Sequence, residues 1–568
     1  MSETFREHDT TVLVAQSHPA GHTDVWQWLQ PRIPWYPRER PFWPWTKPKR
    51  NDRWKPIAMV GVDVSNGPDH DTNLPVALTY YTPERGSVTP LHGEVTDAAT
   101  VASVLFSSKT RGHTMVFLYG LTFELNGLLR WYGRAWNELG YALTPVVSGT
   151  HLRCLLVRKG RNRWTLTDAE TMTGHPPADI LDSALGNRGV SEARQSHLPA
   201  VWQFIAGLQT ATMQRFGTYL RPTVGGTAIK VAGRYLPDGH LIPRPCPHLV
   251  ALCRAGAAYR GGYVFGVPYR GVAYKADVRR LYAHCLRAPL PSRWALGRGV
   301  CEEGERKGVF VCTVTGVPLH PVALGIWDGP ERGFLRKLWT GGECIAILPS
   351  SEYLGLRAMG LVVTPGWGFA AIATIDLSPL VVGLGDAIAE HGPESSLGRL
   401  AKLIGNAIYG KMAMRPEREG IVWSATAPNA LAFPMVTLDG VRVPDLWAVD
   451  TVAYSPFQQI GMASMITGSA RSVLYVEMAK RIREGRRIVH AHTDGYVATG
   501  LPPDDLPTDT DAIGAWRLVE QDTDTTVVRG GGYVIGADVK WSGAPGWTRQ
   551  QIEIAYERGW AVRGQRVR

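Results

Sequence analysis

Nine residues, Lys402-Leu403-Ile404-Gly405-Asn406-Ala407-Ile408-Tyr409-Gly410, constrain this chain more than any other segment. Leu400, Leu403, Ile404 and Ile408 recur at helical spacing, so one stripe must face a core. Lys402, Asn406 and Tyr409 stand three and four residues apart, which stacks them on a second face of the same helix. A cation, an amide and an aromatic ring in one row suit a nucleoside triphosphate: charge for the phosphates, a flat ring for the base. An ordinary amphipathic helix with a Lys and a Tyr at its rim gives the same pattern, so this helix alone decides nothing.

Two carboxylate motifs change the balance. In Lys275-Ala276-Asp277-Val278-Arg279-Arg280-Leu281-Tyr282, Asp277 falls where the strand-like run from Gly271 to Tyr274 ends. In Arg487-Ile488-Val489-His490-Ala491-His492-Thr493-Asp494-Gly495-Tyr496-Val497, the His-Thr-Asp-Gly signal predicts a β-hairpin with Asp494 at its tip. Two carboxylates brought together on adjacent strands repel, and Mg²⁺ removes that repulsion while binding phosphate oxygens. A pair of such ions about 3.5–4 Å apart activates a 3′-hydroxyl and stabilises the leaving pyrophosphate. A lone Asp in a loop is ordinarily a turn residue or cap. The order carboxylate, Lys-bearing helix, carboxylate lifts the pair above that reading.

That order, with these flanks, resembles motifs A, B and C of family B DNA polymerases, most closely the protein-primed branch of small linear phages and linear plasmids. Asp277 to Ala283 is similar to the branch's Asp-x-x-Ser-Leu-Tyr-Pro, Lys402 to Gly410 to Lys-x-x-x-Asn-Ser-x-Tyr-Gly, and His492-Thr493-Asp494-Gly495 to Asp-Thr-Asp-Ser. Tyr259-Arg260-Gly261-Gly262-Tyr263 resembles the hinge motif that touches the template strand, and paired glycines let backbone approach a phosphate closely. Gly514-Ala515-Trp516 and Val539-Lys540-Trp541-Ser542-Gly543 resemble thumb signatures. The resemblance implies an α/β and α+β multidomain fold: a ribonuclease H-like exonuclease-type domain followed by a right-hand palm, fingers and thumb. It implies deoxynucleotidyl transfer with Asp277, Asp494 and the Val278 carbonyl holding two Mg²⁺ ions. Lys402 and Arg399 would then neutralise the triphosphate, with Asn406 on the same face. Tyr409 would stack on the nascent base pair, and Tyr282 would pack beneath the sugar and exclude a 2′-hydroxyl. Tyr259, Arg260, Gly261 and Gly262 would meet DNA, and Tyr533 stands where the branch has the Tyr of a Lys-x-Tyr primer motif, with Gly531 in place of its Lys.

The departures are informative. His492 replaces the first motif C acid, which weakens the local negative field and favours a softer ion such as Mn²⁺. Arg280 replaces a Ser. In the N-terminal third, Asp63 opens the likeness to an Asp-x-Glu exonuclease motif, but Ser65 stands for the Glu. Glu124 falls in register with the Asp of the second exonuclease motif, while Gln203 occupies the position of the third motif's acid. Two-metal phosphodiester hydrolysis needs several converging carboxylates, so a scaffold without 3′→5′ proofreading is expected. The losses leave a second reading open, a DNA-binding scaffold that no longer polymerises.

The net charge of +11, from 61 Lys+Arg against 50 Asp+Glu, favours a polyanionic partner. Template-primer DNA, deoxynucleoside triphosphates and, by resemblance, a priming terminal protein are the expected partners of a monomer. Seven Cys without a Cys-x-x-Cys pair, and no signal peptide, point to a reducing cytoplasmic setting and away from zinc. The apolar stretch from Gly360 to Ala389 is interrupted by Pro365, Asp376, Pro379 and Asp386, so it reads as buried strands and turns and not as a membrane span. Residues 1–55, with Trp26, Trp28, Trp35, Trp43, Trp45 and Trp54 among prolines and cations, read as an extended arm that stacks on bases or packs onto the next domain. The expected order is exonuclease-like domain 56–230, hinge and first palm segment 231–300, and palm with a first insertion 301–390. Fingers 391–413, a strand-rich second insertion 414–456, palm 457–504 and thumb 505–568 follow.

Overall fold

The computed structural model describes residues 22–32, 57–64, 75–83, 86–92, 98–106, 114–117, 132–148, 151–176, 179–180, 198–236, 245–300, 306–414, 417–423, 433–436, 442–452, 458–508, 510, 512–541 and 547–559. The chain folds as two compact units, each assembled from separate stretches: Thr46–Tyr235 with Val382–Phe457, and Met1–Trp45 with Leu236–Val381 and Gln458–Arg568.

The first of these is built on the run Ile57–Val64, whose near-continuous apolar sequence suits a strand covered on both faces. It pairs antiparallel with Pro75–Thr82 and parallel with Thr114–Phe117, which in turn pairs parallel with Asn162–Asp168. Gly86–His92 closes one edge of this seven-stranded sheet, and His151–Lys159 and Ala142–Ser148 complete the other. Met115, Val116 and Phe117 are fully buried at its centre. The helix Leu198–Phe216 lies against the first strand, its Trp202 indole donating to the Ile57 carbonyl at 3.0 Å. Ser396–Met412 is helical, as its periodicity predicts; Ser395 caps it, accepting from the Gly398 N–H at 3.0 Å. Its buried Leu400, Ile404 and Ile408 form the inward stripe, and it packs on the helix Val224–Arg234. Beyond it, Glu417–Trp423 and Phe433–Val436 both pair antiparallel with Arg442–Val452 in a three-stranded sheet.

The other unit has two antiparallel sheets. One orders its seven strands Asp538–Trp541, Gly532–Ile535, Trp516–Arg529, Tyr269–Val278, Gly495–Thr499, Ile488–His492 and Val264–Gly266. The other has six, in the order Leu290–Arg298, Val362–Ile375, Gly308–Gly316, Gly342–Pro349, Val322–Trp327 and Phe334–Trp339. The 24-residue helix Ile460–Arg483 is buried on nearly every side, and its Leu474 and Met478 share one core with Tyr274 and Ala276 of the first sheet and Phe310 and Val314 of the second.

Two expectations change. Residues 22–29 form a helix, not an extended arm, because the proline-dense stretch begins only after it; Val25 and Leu29 are buried, and Trp28 packs edge-on against Trp327 and Phe334. The rest of the arm lies outside the described residues. The second half of the Gly360–Ala389 stretch is the helix Ser378–His391, with Pro379 in its first turn where a missing N–H costs nothing. The six-stranded sheet begins at Leu290 and runs to Ile375, across the expected 231–300 and 301–390 segments. No helix among the described residues is long and apolar enough to cross a membrane.

Candidate active site on the seven-stranded sheet

Asp277 is the penultimate residue of Tyr269–Val278, the middle strand of the sheet. Asp494 sits in the two-residue turn between Ile488–His492 and Gly495–Thr499, and Thr493 adopts φ 60° to close that turn. Gly495 is registered opposite Asp277, and the Val278 N–H donates to the Asp494 carbonyl at 2.8 Å. Two carboxylates far apart in sequence are thus carried by neighbouring strands. A side chain at position 495 would bring its Cβ within 2.6 Å of the Ala276 carbonyl and 3.2 Å of the Asp277 Cβ, so the turn must end in glycine.

The charges around this pair are uneven. Withdrawal from water, and then the Asp277 charge, raise the Asp494 carboxyl above its usual range, although the residue reaches the surface. Burial, reinforced by Lys540, lowers the half-buried His492 imidazole, so it is neutral at pH 7. His490 behind it is buried and neutral too, and its Nε2 accepts from the Gly531 N–H at 3.0 Å. On the other side of the strand, Arg517 is registered opposite Asp277; its Nε donates to Oδ1 at 2.8 Å and its Nη2 to Oδ2 at 3.4 Å. Nothing singled out Arg517 in the sequence, although it directly follows the Gly514-Ala515-Trp516 signature.

Among the described residues no group of three or more His, Cys, Asp or Glu side chains is arranged for a metal ion. The pair nevertheless suits divalent cations of the Mg²⁺ class. Its donors are hard oxygens, its like charges repel each other, and a guanidinium stands in as cation at Asp277.

Other predicted residues fall differently. Tyr282 lies on the short helix Leu281–Cys285, 8% exposed, just beyond Asp277. Gly261 is exposed and Gly262 half-buried, Tyr259 is half-buried, and the Thr493 N–H donates to the Tyr263 carbonyl at 2.7 Å, which ties this loop to the Asp494 turn. Arg260, expected at DNA, is instead buried against Glu352 at 2.5 Å, because Glu352 and Arg471 form an interior ion cluster that captures it. Tyr533, expected at the primer, is 2% exposed; its hydroxyl donates to Asp538 at 2.9 Å and accepts from Lys275 at 3.0 Å. The glycines before it give a tight turn that draws the ring inward against His490.

In the other unit, Lys402 and Asn406 are exposed on the capped helix and Tyr409 is half-buried. Arg399 is engaged by Asp179 at 2.5 Å and Glu394 at 2.9 Å, so carboxylates already take the guanidinium expected for phosphate. Gln203 is exposed on the helix that packs against the Asp63 strand. Ser65 and Glu124 lie outside the described residues, as does the Asp63 side chain.

Neither a protein-family profile nor a curated protein sequence matches the chain. Among solved structures it is similar to Phi29 DNA polymerase in complex with primer-template DNA and incoming nucleotide: TM-score 0.64, 15% identity, 88% of this chain and 94% of that one. Phi29 DNA polymerase with single-stranded DNA superimposes at 0.61 and 17% identity, and its orthorhombic crystal form at 0.62 and 16%, over the same shares. This chain has the fold of Phi29 DNA polymerase. An exonuclease-type module and a palm, fingers and thumb account for its sheets, and the resemblance read from the motifs and the likeness of fold agree.

Proposed function

We propose that the chain is a DNA-directed DNA polymerase of the protein-primed family B type, acting on template-primer DNA and deoxynucleoside triphosphates, with a terminal protein as a further partner. The observation that carries this is the placement of Asp277 near the end of one strand and Asp494 in the turn that opens its neighbour, joined by the hydrogen bond from Val278 to Asp494. Divalent ions bound there would activate the attacking 3′-hydroxyl and neutralise the leaving pyrophosphate. Asp277, Asp494 and the Val278 carbonyl would hold them, and Tyr282 would wall the sugar. Lys402 and Asn406 are exposed for a triphosphate, and Tyr409 follows on the same helix. We assign no 3′→5′ proofreading, because Ser65 and Gln203 stand where carboxylates are needed.

Primer extension by the full chain, with Mg²⁺ and Mn²⁺ in parallel, tests the reading. The wild type should extend a primer and leave a mismatched primer end intact. Asp494→Ala should lower extension at least about 1000-fold, as expected where an electrostatic element of the transition state is lost, while DNA binding persists. Wild-type protein that binds DNA yet extends with neither ion would favour the scaffold reading, to which His492 gives some footing.

A further inference from the structure

The middle strand carries a carboxylate with opposite neighbours on its two sides: the Asp494 turn on one, the Arg517 guanidinium on the other. The Arg517 contact is a fork that engages both oxygens of Asp277, held by direct cross-strand register and not by the reach of a flexible side chain from elsewhere. The two side chains are 30% and 23% exposed, so water screens the pair only in part. Among the described residues Asp494 makes no ion pair of this kind; the cations that act on it are the more distant Lys540 and Lys275.

We propose that Arg517 is a resident counter-cation for Asp277, one that a divalent ion must displace and that a nucleotide's triphosphate helps to release. The inference rests on the polymerase reading of the same two carboxylates. Its physical basis is competition. Lone pairs committed to a guanidinium are withheld from an ion, and two cations on one carboxylate repel. Arginine keeps its charge at every pH at which a protein is folded, so deprotonation never relieves the competition. A triphosphate offers the planar guanidinium fork another bidentate anionic partner. Metal and nucleotide therefore bind with positive coupling, and the ion alone binds Asp277 poorly.

Free Mn²⁺, counted by its electron paramagnetic resonance signal in titrations of the full chain, tests this without turnover. The wild type should bind Mn²⁺ weakly by itself, and several-fold more tightly once a deoxynucleoside triphosphate and a dideoxy-terminated primer-template are present. Arg517→Gln should bind Mn²⁺ alone several-fold more tightly than the wild type, with a smaller gain on adding nucleotide. Arg517→Lys, which keeps the charge but loses the fork, should fall between. Mn²⁺ affinity that is unchanged or weaker in folded Arg517→Gln, while Asp494→Ala still abolishes binding, overturns the counter-cation role alone. Mn²⁺ binding that survives Asp494→Ala at wild-type strength overturns the two-carboxylate site, and this inference with it.

Discussion

Glu352 faces two guanidiniums with one carboxylate, and all three groups are buried. Burial alone would push its carboxyl up, but Arg260 and Arg471 together hold it below its usual range. Arg471 donates to it through Nε and Nη2 at 2.8 and 2.7 Å. Glu352→Gln would leave two interior cations uncompensated and should cost about 3–5 kcal/mol, read from urea unfolding of the full chain. Just beyond Asp277, Tyr282→Val should raise ribonucleotide incorporation relative to deoxynucleotide roughly tenfold or more, the scale on which pocket shape separates close analogues. An unchanged ratio in single-nucleotide incorporation would remove Tyr282 from that role. Charge sign was legible in the sequence; burial was not. Arg260 sits in a motif that looks like a DNA contact, and only the distant Glu352 and Arg471 reveal it as an interior group.

Among the elements, the Gly261–Gly262 loop and the Asp494 hairpin form one mechanical pair. A Cβ on Gly262 would lie 2.7–2.9 Å from the Thr493 side chain and Cα, whereas a Cβ on Gly261 would meet nothing within 4 Å. Gly262→Ala should therefore displace the Asp494 turn and cost about 1–3 kcal/mol. Gly261→Ala should stay within about 0.5 kcal/mol. Thermal melts of the two variants compare them, and equal melting temperatures would separate the loop from the turn. The hairpin was readable because its turn signal is local. The helix Ser396–Met412 was readable because its period and its Ser395 cap are local too. Trp516–Arg529 pairing beside Asp277 was not readable. Strand partnership is a long-range choice that a short window does not contain, so the residue opposite Asp277 went unnoticed until the sheet was assembled.

At the scale of the molecule, both units are interleaved in sequence. Thr46–Tyr235 is joined in its unit by Val382–Phe457, whose helix Ser396–Met412 covers Val224–Arg234 and touches Leu198–Phe216. A fragment of residues 46–235 alone should melt without a sharp transition and bind a hydrophobic dye, and co-expression with 382–457 should restore a cooperative melt. Sharp melting of the fragment by itself would show that the covering segment is dispensable. The fold class was visible from the motifs, because each carries its residues in a short, local pattern. The way the helix Ser396–Met412 joins the unit of the Ile57–Val64 sheet was not, because apolar stripes identify a face without naming what it covers.

Arg471 also donates to the carbonyls of Arg260 and Gly261, at 2.9 and 3.0 Å, from within the 24-residue helix Ile460–Arg483. That loop is therefore moored and not merely draped. If a nucleic-acid strand runs over Gly261 and Gly262, tension along it is delivered through two peptide oxygens to the most deeply set helix of its unit. The anchorage, rather than the suppleness of two glycines, then sets how hard the strand can be pulled before its grip slips.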